Sequence, residues 1–227
     1  MTDYFLYAIL PYLAVATLIV GSVFRFLFHR YSWSALSSQF LENNAVFWGS
    51  MPWHIGIGII LAGHLVAFFL PGLWSLMTNN YTTLVIIETI GLGLAVITLF
   101  GLTMLFLRRM LTPKIRVVTS AMDWVILSVL MVQIILGLLT AVLYPFGSAW
   151  ATGVLSPYLL SFFSFDPQIA YVTDLPLVVK LHMTFAWILL LLVPFSRLVH
   201  AFSLPFRYFV RPPQLVIWNR NRTTSTH

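Results

Sequence analysis

The chain has 227 residues, of which 60% are hydrophobic and 8% charged, with a mean hydropathy of +0.94. A soluble domain of this length does not carry so apolar a composition, so the sequence predicts an integral membrane protein. It contains no cysteine, which excludes c-type haem attachment, cysteine-ligated iron–sulfur clusters and disulfides on this chain. The net charge of +6 is expected to report membrane topology rather than a nucleic-acid partner.

Five apolar runs are long enough to cross a bilayer, and each is continuous rather than alternating, which favours helices over strands. They lie at Tyr4–Phe28, Met51–Leu73, Thr83–Leu107, Trp124–Phe146 and Leu177–Leu204. The first run lacks a basic segment and a small-residue cleavage site, so we expect a retained span. The sequence therefore predicts an all-α integral membrane protein, with a five-transmembrane-helix bundle over residues 1–205 and a docking tail over 206–227, the end of which is expected to be disordered.

The basic residues indicate how the spans are oriented. If the five spans alternate, the first and third connections and the C-terminus share one side of the membrane. All of the twelve Lys and Arg residues except Lys180 lie on or near that side. The positive-inside rule then makes that side cytoplasmic and places the N-terminus outside. The segment 147–174 is too short in its apolar part to span, and we expect it at the outer interface.

The fifth run contains His182 and His200, which are eighteen residues apart. On a continuous α-helix this spacing places both imidazoles on one face, at heights that differ by roughly 27 Å. Histidines inside a span normally face the bundle interior and have a partner. Pro194, which lies between them, is expected to bend the helix.

The second run contains the matching histidines. His54 is near its cytoplasmic start, and His64 lies roughly 15 Å deeper. Because the two runs are antiparallel, depth pairs His54 with His200 and His64 with His182. The match is imperfect, since His54 and His64 differ by about 80° in azimuth and the two height differences are unequal.

Two stacked bis-histidine sites suit two b-type haems, whose iron carries one electron without binding substrate. Gly56, Gly58 and Gly63 are expected to let a flat macrocycle approach the second helix. Arg197 is placed to meet a haem propionate near the inner face. Two alternatives stay open, namely histidines that make helix–helix hydrogen bonds and a metal transport path, although a transporter is expected to show more carboxylates or thiols.

Two carboxylates belong to the predicted spans, and Glu88 lies well inside the third, roughly 10 Å below its outer end. Glu88, in the third run, is a functional candidate because isolated carboxylates inside membranes are costly, and a quinol oxidised nearby needs a proton acceptor. It is equally open as a protonated hydrogen-bond donor with a structural role. Asp123 opens the fourth run, where a carboxylate favours a helix N-terminus.

Five stretches carry a family resemblance, and they cover most of the chain except the second and fourth connections. They read YSWSALSSQFL (31–41), WHIGIGIILAGH (53–64), RRMLTPKIRVVTSAMD (108–123), ILSVLMVQIILGLLT (126–140) and KLHMTFAWILLLLVPFSRLVHAFSLP (180–205). The chain resembles the gamma subunit of respiratory, membrane-bound nitrate reductase, a five-helix dihaem cytochrome b of the prokaryotic cytoplasmic membrane.

The resemblance implies two b haems with axial pairs His54/His200 and His64/His182. It implies that quinol is oxidised near the outer haem, and that electrons pass inward to a cytoplasmic iron–sulfur beta subunit and a molybdenum alpha subunit. Nitrate chemistry is then on another subunit. The expected docking surfaces are residues 31–45, residues 108–119 and the tail, whose apolar Phe206, Tyr208 and Trp218 a partner would cover.

One departure from the family concerns the quinol site. The third helix of known members starts with a basic residue, whereas this chain reads YTTLVIIE. Glu88 or Thr83 is then expected to replace the basic residue at the quinol site, and Gly63 beside His64 is a further candidate. Alternatively, the chain uses another quinone, or electrons flow in the reverse direction, as in nitrite-oxidising relatives. Cytochrome b anchors of formate dehydrogenase or hydrogenase, and a haem-free transporter or assembly protein, are the remaining alternatives.

Overall fold

The computed structural model describes residues 1–29, 32 and 44–202. Its helices are α1 (Thr2–Phe28), α2 (Asn44–Phe69), α3 (Pro71–Thr78), α4 (Tyr81–Leu111), α5 (Pro113–Val117), α6 (Ala121–Leu143), α7 (Gly147–Ser161), α8 (Ala170–Thr173) and α9 (Leu177–Leu192). Among the described residues, five helices are long and apolar enough to span a membrane, namely α1, α2, α4, α6 and α9 with its continuation. The predicted helical class and number of spans are confirmed. The predicted tail and most of the docking segment 31–45 lie outside the described residues.

Local chemistry explains where the spanning helices begin. Asn80 precedes α4, and its side-chain oxygen accepts a hydrogen bond from the backbone N–H of Thr82 at 2.8 Å. Ser120 and Asp123 form a capping box at the start of α6, in which each side chain bonds the backbone N–H of the other residue. The interpretation of Asp123 as a helix N-terminal residue is confirmed.

Pro71 sets a helix boundary that hydropathy misplaced. The second predicted span continues to Leu73, but α2 ends at Phe69 and a separate helix begins with Pro71. Proline has no N–H to donate and favours the first helical position, so it starts α3 instead of extending α2. Pro52, in contrast, is accommodated inside α2, which begins several residues before the predicted start at Met51.

The fifth segment is not the continuous helix that the spacing of His182 and His200 assumes, whereas the predicted disturbance at Pro194 is confirmed. The α-helix ends at Leu192 and is followed by two 3₁₀ turns, Val193–Phe195 and Arg197–Phe202. Between them Ser196 is extended, with φ −120° and ψ −179°. Pro194 causes the break because it cannot donate to the carbonyl one turn earlier and its ring crowds that carbonyl. The heights and azimuths derived for a straight helix therefore do not apply to His200.

The spanning helices form a series in which each packs mainly on the next. α2 packs along α4, α4 and α9 both pack on α6, and α1 packs on α9. One buried cluster lies between α2, α4 and α6, and contains Trp53, Leu102, Ile126, Leu130 and Ile134. A second cluster joins α1 to α7 and α8 through Tyr7, Leu155, Tyr158 and Val172. The two histidine-bearing helices, α2 and α9, are thus separated in this series by α4 and α6.

Glycines allow the close packing of α2 on α4. A Cβ added to Gly101 would lie 2.6 Å from the backbone nitrogen of Trp53 and 2.7 Å from the carbonyl oxygen of Gly49. A Cβ on Gly56 would collide with the hydroxyl of Thr98. The expectation that Gly56 faces a macrocycle is therefore wrong, because this glycine serves helix packing. Gly58 faces open space.

Candidate functional site with two histidine pairs

The first pair joins α2 to the turn after α9. The ring centroids of His54 and His200 are 6.1 Å apart, with an interplanar angle of 68°. Both side chains are exposed on the chain. The sequence pairs the same two histidines by their expected depth in the membrane, near the side that carries most of the Lys and Arg residues.

The second pair joins α2 to the first turns of α9. The ring centroids of His64 and His182 are 6.5 Å apart, at an interplanar angle of 49°. His64 is exposed, whereas His182 is partly buried against α6. The structure therefore brings together the same two pairs that the sequence predicts, and ligation itself stays a prediction.

The break in α9 explains how both pairs form although the predicted heights disagreed. The ten residues from His182 to Leu192 rise roughly 15 Å along the α-helix, which matches the rise from His54 to His64. The residues from Val193 to His200 are not part of this α-helix, so they do not add two further helical turns to the distance between His182 and His200. A straight helix would have carried His200 well past His54.

All four imidazoles use Nδ1 to bind a backbone carbonyl. The Nδ1 atoms lie 2.7 Å from Ser50 O for His54, 2.8 Å from Ile60 O for His64, 3.1 Å from Gln133 O for His182, and 2.7 Å from Arg197 O for His200. A carbonyl only accepts, so Nδ1 carries the proton and donates in each ring. Nε2 is then the unprotonated nitrogen. This is the usual arrangement of a metal-ligating histidine.

The ring separations test whether a haem iron fits between the members of each pair. An imidazole nitrogen binds a first-row metal at about 2 Å, and the ring centre lies about 1 Å behind it, so rings on opposite sides of one iron have centroids roughly 6 Å apart. Both observed separations agree with that value. Within the described residues, no three His, Cys, Asp or Glu side chains form a metal-ion site. Two nitrogens per site fit a macrocycle that supplies the other ligands.

The alternative in which the histidines make helix–helix hydrogen bonds is less well supported. The Nδ1 atoms of His54, His64 and His200 bind carbonyls three or four residues earlier in their own segments. Only the Nδ1 bond of His182 crosses to another helix, where it reaches Gln133 of α6. The observed Nδ1 bonds therefore orient three of the rings without joining helices.

Arg197, the predicted propionate partner, is bound by protein groups at the start of the second 3₁₀ turn. Its Nε lies 2.9 Å from Oδ1 of Asp123, and its Nη2 donates to the carbonyl of Val118 at 3.1 Å. Asp123 is buried and also pairs with Arg109 at 3.5 Å. These bonds tie the segment that carries His200 to the start of α6. A contact between Arg197 and a propionate stays a prediction.

Glu88 is bound to the start of α7. Its two carboxylate oxygens accept the backbone N–H groups of Phe146 and Ser148, each at 3.0 Å. A carboxylate here meets the positive end of the helix dipole and satisfies otherwise unpaired N–H groups. The structure therefore gives Glu88 a structural role as hydrogen-bond acceptor at the start of α7. Its role as a proton acceptor for quinol stays a prediction.

The other candidate quinol residues divide into two places. A Cβ on Gly63 would lie 3.9 Å from the indole of Trp74, and that indole donates to the carbonyl of Ser148 at 2.8 Å. Gly63 and Glu88 thus border one junction between α2, α3 and α7, next to His64. Thr83 is exposed in the first turn of α4, where its hydroxyl donates to the carbonyl of Asn80.

Three contacts around the histidines were not anticipated from the sequence. A Cβ on Gly137 of α6 would lie 2.9 Å from Cε1 of His182. The carbonyl of Gln133 orients the same ring. Arg25 of α1 donates to the carbonyls of Pro194 and Ser196, in the segment that precedes His200. The four-residue spacing of Gln133 and Gly137 places them on one helix face, but nothing in the sequence shows which helix that face meets.

The chain is similar to known proteins over nearly its whole length. A family model described as the nitrate reductase gamma subunit matches residues 3–219. The respiratory nitrate reductase 1 gamma chain of Escherichia coli (strain K12) is 33% identical over 221 residues, which cover 93% of this chain and 96% of that protein. The nitrate reductase gamma chain of Bacillus subtilis (strain 168) is 29% identical over 217 residues, covering 93% and 96% respectively.

Proposed function

The chain belongs to the nitrate reductase gamma subunit family, and from this premise we propose that it is the quinol-oxidising electron-transfer subunit of a respiratory nitrate reductase complex. It is a dihaem cytochrome b, multi-pass in the prokaryotic cytoplasmic membrane. Its electrons go to an iron–sulfur beta subunit and a molybdenum alpha subunit on the cytoplasmic side. Nitrate reduction takes place on another subunit.

The observation that carries the proposal is the pair of bis-histidine arrangements. Each has ring centroids separated by the distance that a shared iron requires, and each ring has its Nδ1 proton on a carbonyl so that Nε2 can bind metal. His54 and His200 would hold the inner haem, and His64 and His182 the outer haem. When bound, each haem supplies an iron centre that gains and loses one electron.

The residues of the chain orient the ligands and receive the substrate. Gln133 fixes His182, and Arg197, Asp123 and Val118 tie the His200 segment to α6. We place quinol beside the outer pair, near the junction that Gly63 and Glu88 border. Oxidation of a quinol releases two protons with its two electrons, so a carboxylate at the outer side can take up a proton as it leaves. Release outside and consumption inside make the transfer electrogenic.

The topology follows from the charge distribution. The basic residues at the inner ends of α1 and α4 and in α5 support a cytoplasmic location for the His54/His200 pair. Electrons can then leave from the inner pair toward the partner subunits. The exposed Lys114 and Arg116 of α5 are part of the docking surface that we propose for these subunits.

The test is the haem content of the full-length chain, purified in detergent with its partner subunits. A pyridine-haemochrome assay should give close to two b haems per chain. His64→Ala and His182→Ala should each remove the outer haem and quinol oxidation, whereas the inner haem survives. His29→Ala is the matched control, since His29 lies at the end of α1 beside Phe24 and belongs to neither pair. Two haems retained in either variant would refute the pairing, and a haem-free wild-type chain would refute the proposed function.

A further inference from the structure

Arg25 lies where the fifth spanning segment stops being an α-helix. Its Nη1 donates to the carbonyl oxygens of Pro194 and Ser196, both at 2.7 Å. Its Nε and Nη2 donate to the hydroxyl and carbonyl of Ser32, at 3.0 and 2.6 Å. One guanidinium therefore joins the end of α1 to the segment that precedes His200.

These contacts answer a need of the backbone after the end of α9. Where the chain leaves the regular helix inside or near the membrane, carbonyls such as those of Pro194 and Ser196 need other donors, because lipid offers no water to bind them. The planar guanidinium presents several donors in a fixed geometry and stays charged, so one side chain can bind two carbonyls at once. A cation is also favoured near the negative end of the α9 dipole.

The segment is packed tightly on α1 as well as bonded to it. A Cβ on Gly21, one turn before Arg25, would lie 2.8 Å from Cβ of Pro194. Pro194, Ser196 and Val199 are buried. Ser196 continues the chain of contacts, because its hydroxyl accepts from the N–H of Leu198 at 3.2 Å.

The opposite side of the segment is held by α6, through the ion pair of Arg197 with Asp123 at 2.9 Å. The carbonyl of Arg197 in turn accepts from Nδ1 of His200 at 2.7 Å. Bonds from two helices thus fix the backbone immediately before the imidazole. Ser196 is extended between the two 3₁₀ turns, so helical hydrogen bonding does not run continuously from α9 to His200.

We propose that Arg25 is a positioning residue, which holds the Pro194–Ser196 backbone and thereby sets the orientation of His200 as ligand of the inner haem. The inference rests on the proposed function. Arg25 should affect the inner haem only, because its hydrogen bonds reach the segment before His200 and not the part of α9 that carries His182.

The experiment compares Arg25→Met and Arg25→Lys with the wild type, each as the full-length chain purified with its partner subunits. The readouts are haem per chain and the low-spin electron paramagnetic resonance signal and midpoint potential of each haem, with the signals assigned by their loss in His200→Ala and His64→Ala. The outer haem is the internal control. Gly137→Ala, which contacts His182, is the converse control and should alter the outer signal alone.

Arg25→Met should lower the inner haem content at least twofold, or shift its resonance and potential, with the outer haem unchanged. Arg25→Lys keeps the positive charge but lacks the planar guanidinium with its several donors. The resonance signal of its inner haem should therefore lie between those of Arg25→Met and the wild type. Wild-type inner signals in both variants would overturn the proposal, as would equal loss of both haems, which indicates a general folding role. If Arg25→Met does not accumulate, the same comparison on Arg25→Lys decides. A wild-type chain without haem would instead refute the proposed function on which the inference rests.

Discussion

Gly137→Ala should weaken the outer haem site selectively. Gly137 lies on α6 at its contact with α9, and an added Cβ would be 2.9 Å from Cε1, 3.5 Å from Nδ1 and 3.6 Å from Nε2 of His182. Carbon atoms in van der Waals contact are about 3.5–4.0 Å apart. The imidazole or the helix must therefore move by roughly 0.5–1 Å to accept one methyl group.

That displacement is large for a metal ligand. Overpacking of this kind costs about 1–3 kcal/mol. At 1.4 kcal/mol per factor of ten, the outer haem should be retained roughly 5 to 150 times less strongly. The hydrogen bond from Nδ1 to Gln133 fixes the ring from the same helix, so the ring cannot turn away without losing that bond as well.

The assay is haem retention during dilution in detergent, followed separately for the two haems by their resonance signals. Gly93→Ala is the matched control, because a Cβ on Gly93 of α4 meets nothing within 4 Å. We expect loss or a shift of the outer signal in Gly137→Ala and wild-type behaviour in Gly93→Ala. An unchanged outer haem in Gly137→Ala would refute the placement of His182 against α6.

Three further predictions concern the polar contacts that connect the helices. Glu88→Gln leaves one N–H at the start of α7 without an acceptor and should lower the free energy of unfolding by about 1–2 kcal/mol, measured by thermal unfolding. If Glu88 also accepts a proton from quinol, the same variant should oxidise quinol more slowly and with a changed pH dependence. An unchanged rate of quinol oxidation would restrict Glu88 to capping α7. Asp123→Asn removes the charge between Arg197 and Arg109 and should cost about 1.5–3 kcal/mol, so an unaltered melting temperature would contradict the importance of this ion pair. Tyr158→Phe should cost about 1–3 kcal/mol, since the buried hydroxyl donates to the carbonyl of Tyr7 at 2.8 Å. Burial raises the pKa of Tyr158, so the folded state keeps the proton and this contribution should be lost only as pH rises past about 10, where an unfolded tyrosine ionises.

The sequence by itself determined the class of fold, the number of spanning helices and the choice of histidine partners. Apolar runs of membrane length have few structural solutions, because every backbone polar group must be bonded within the segment. The pairs His54 with His200 and His64 with His182 follow from the order of residues along antiparallel spans. That order is independent of helix azimuth and survives the break at Pro194.

Only the tertiary structure decided what surrounds those histidines. The sequence shows that Pro194 disturbs a helix, but not that Arg25, far earlier in the chain, donates to the carbonyls of Pro194 and Ser196. It shows Glu88 as a costly carboxylate, but not that the first N–H groups of α7 bind both its oxygens. Gly56 and Gly137 are both helical glycines, yet one packs on Thr98 and the other on His182. Local pattern fixes which face a residue occupies, whereas the element that meets this face depends on how distant helices pack together.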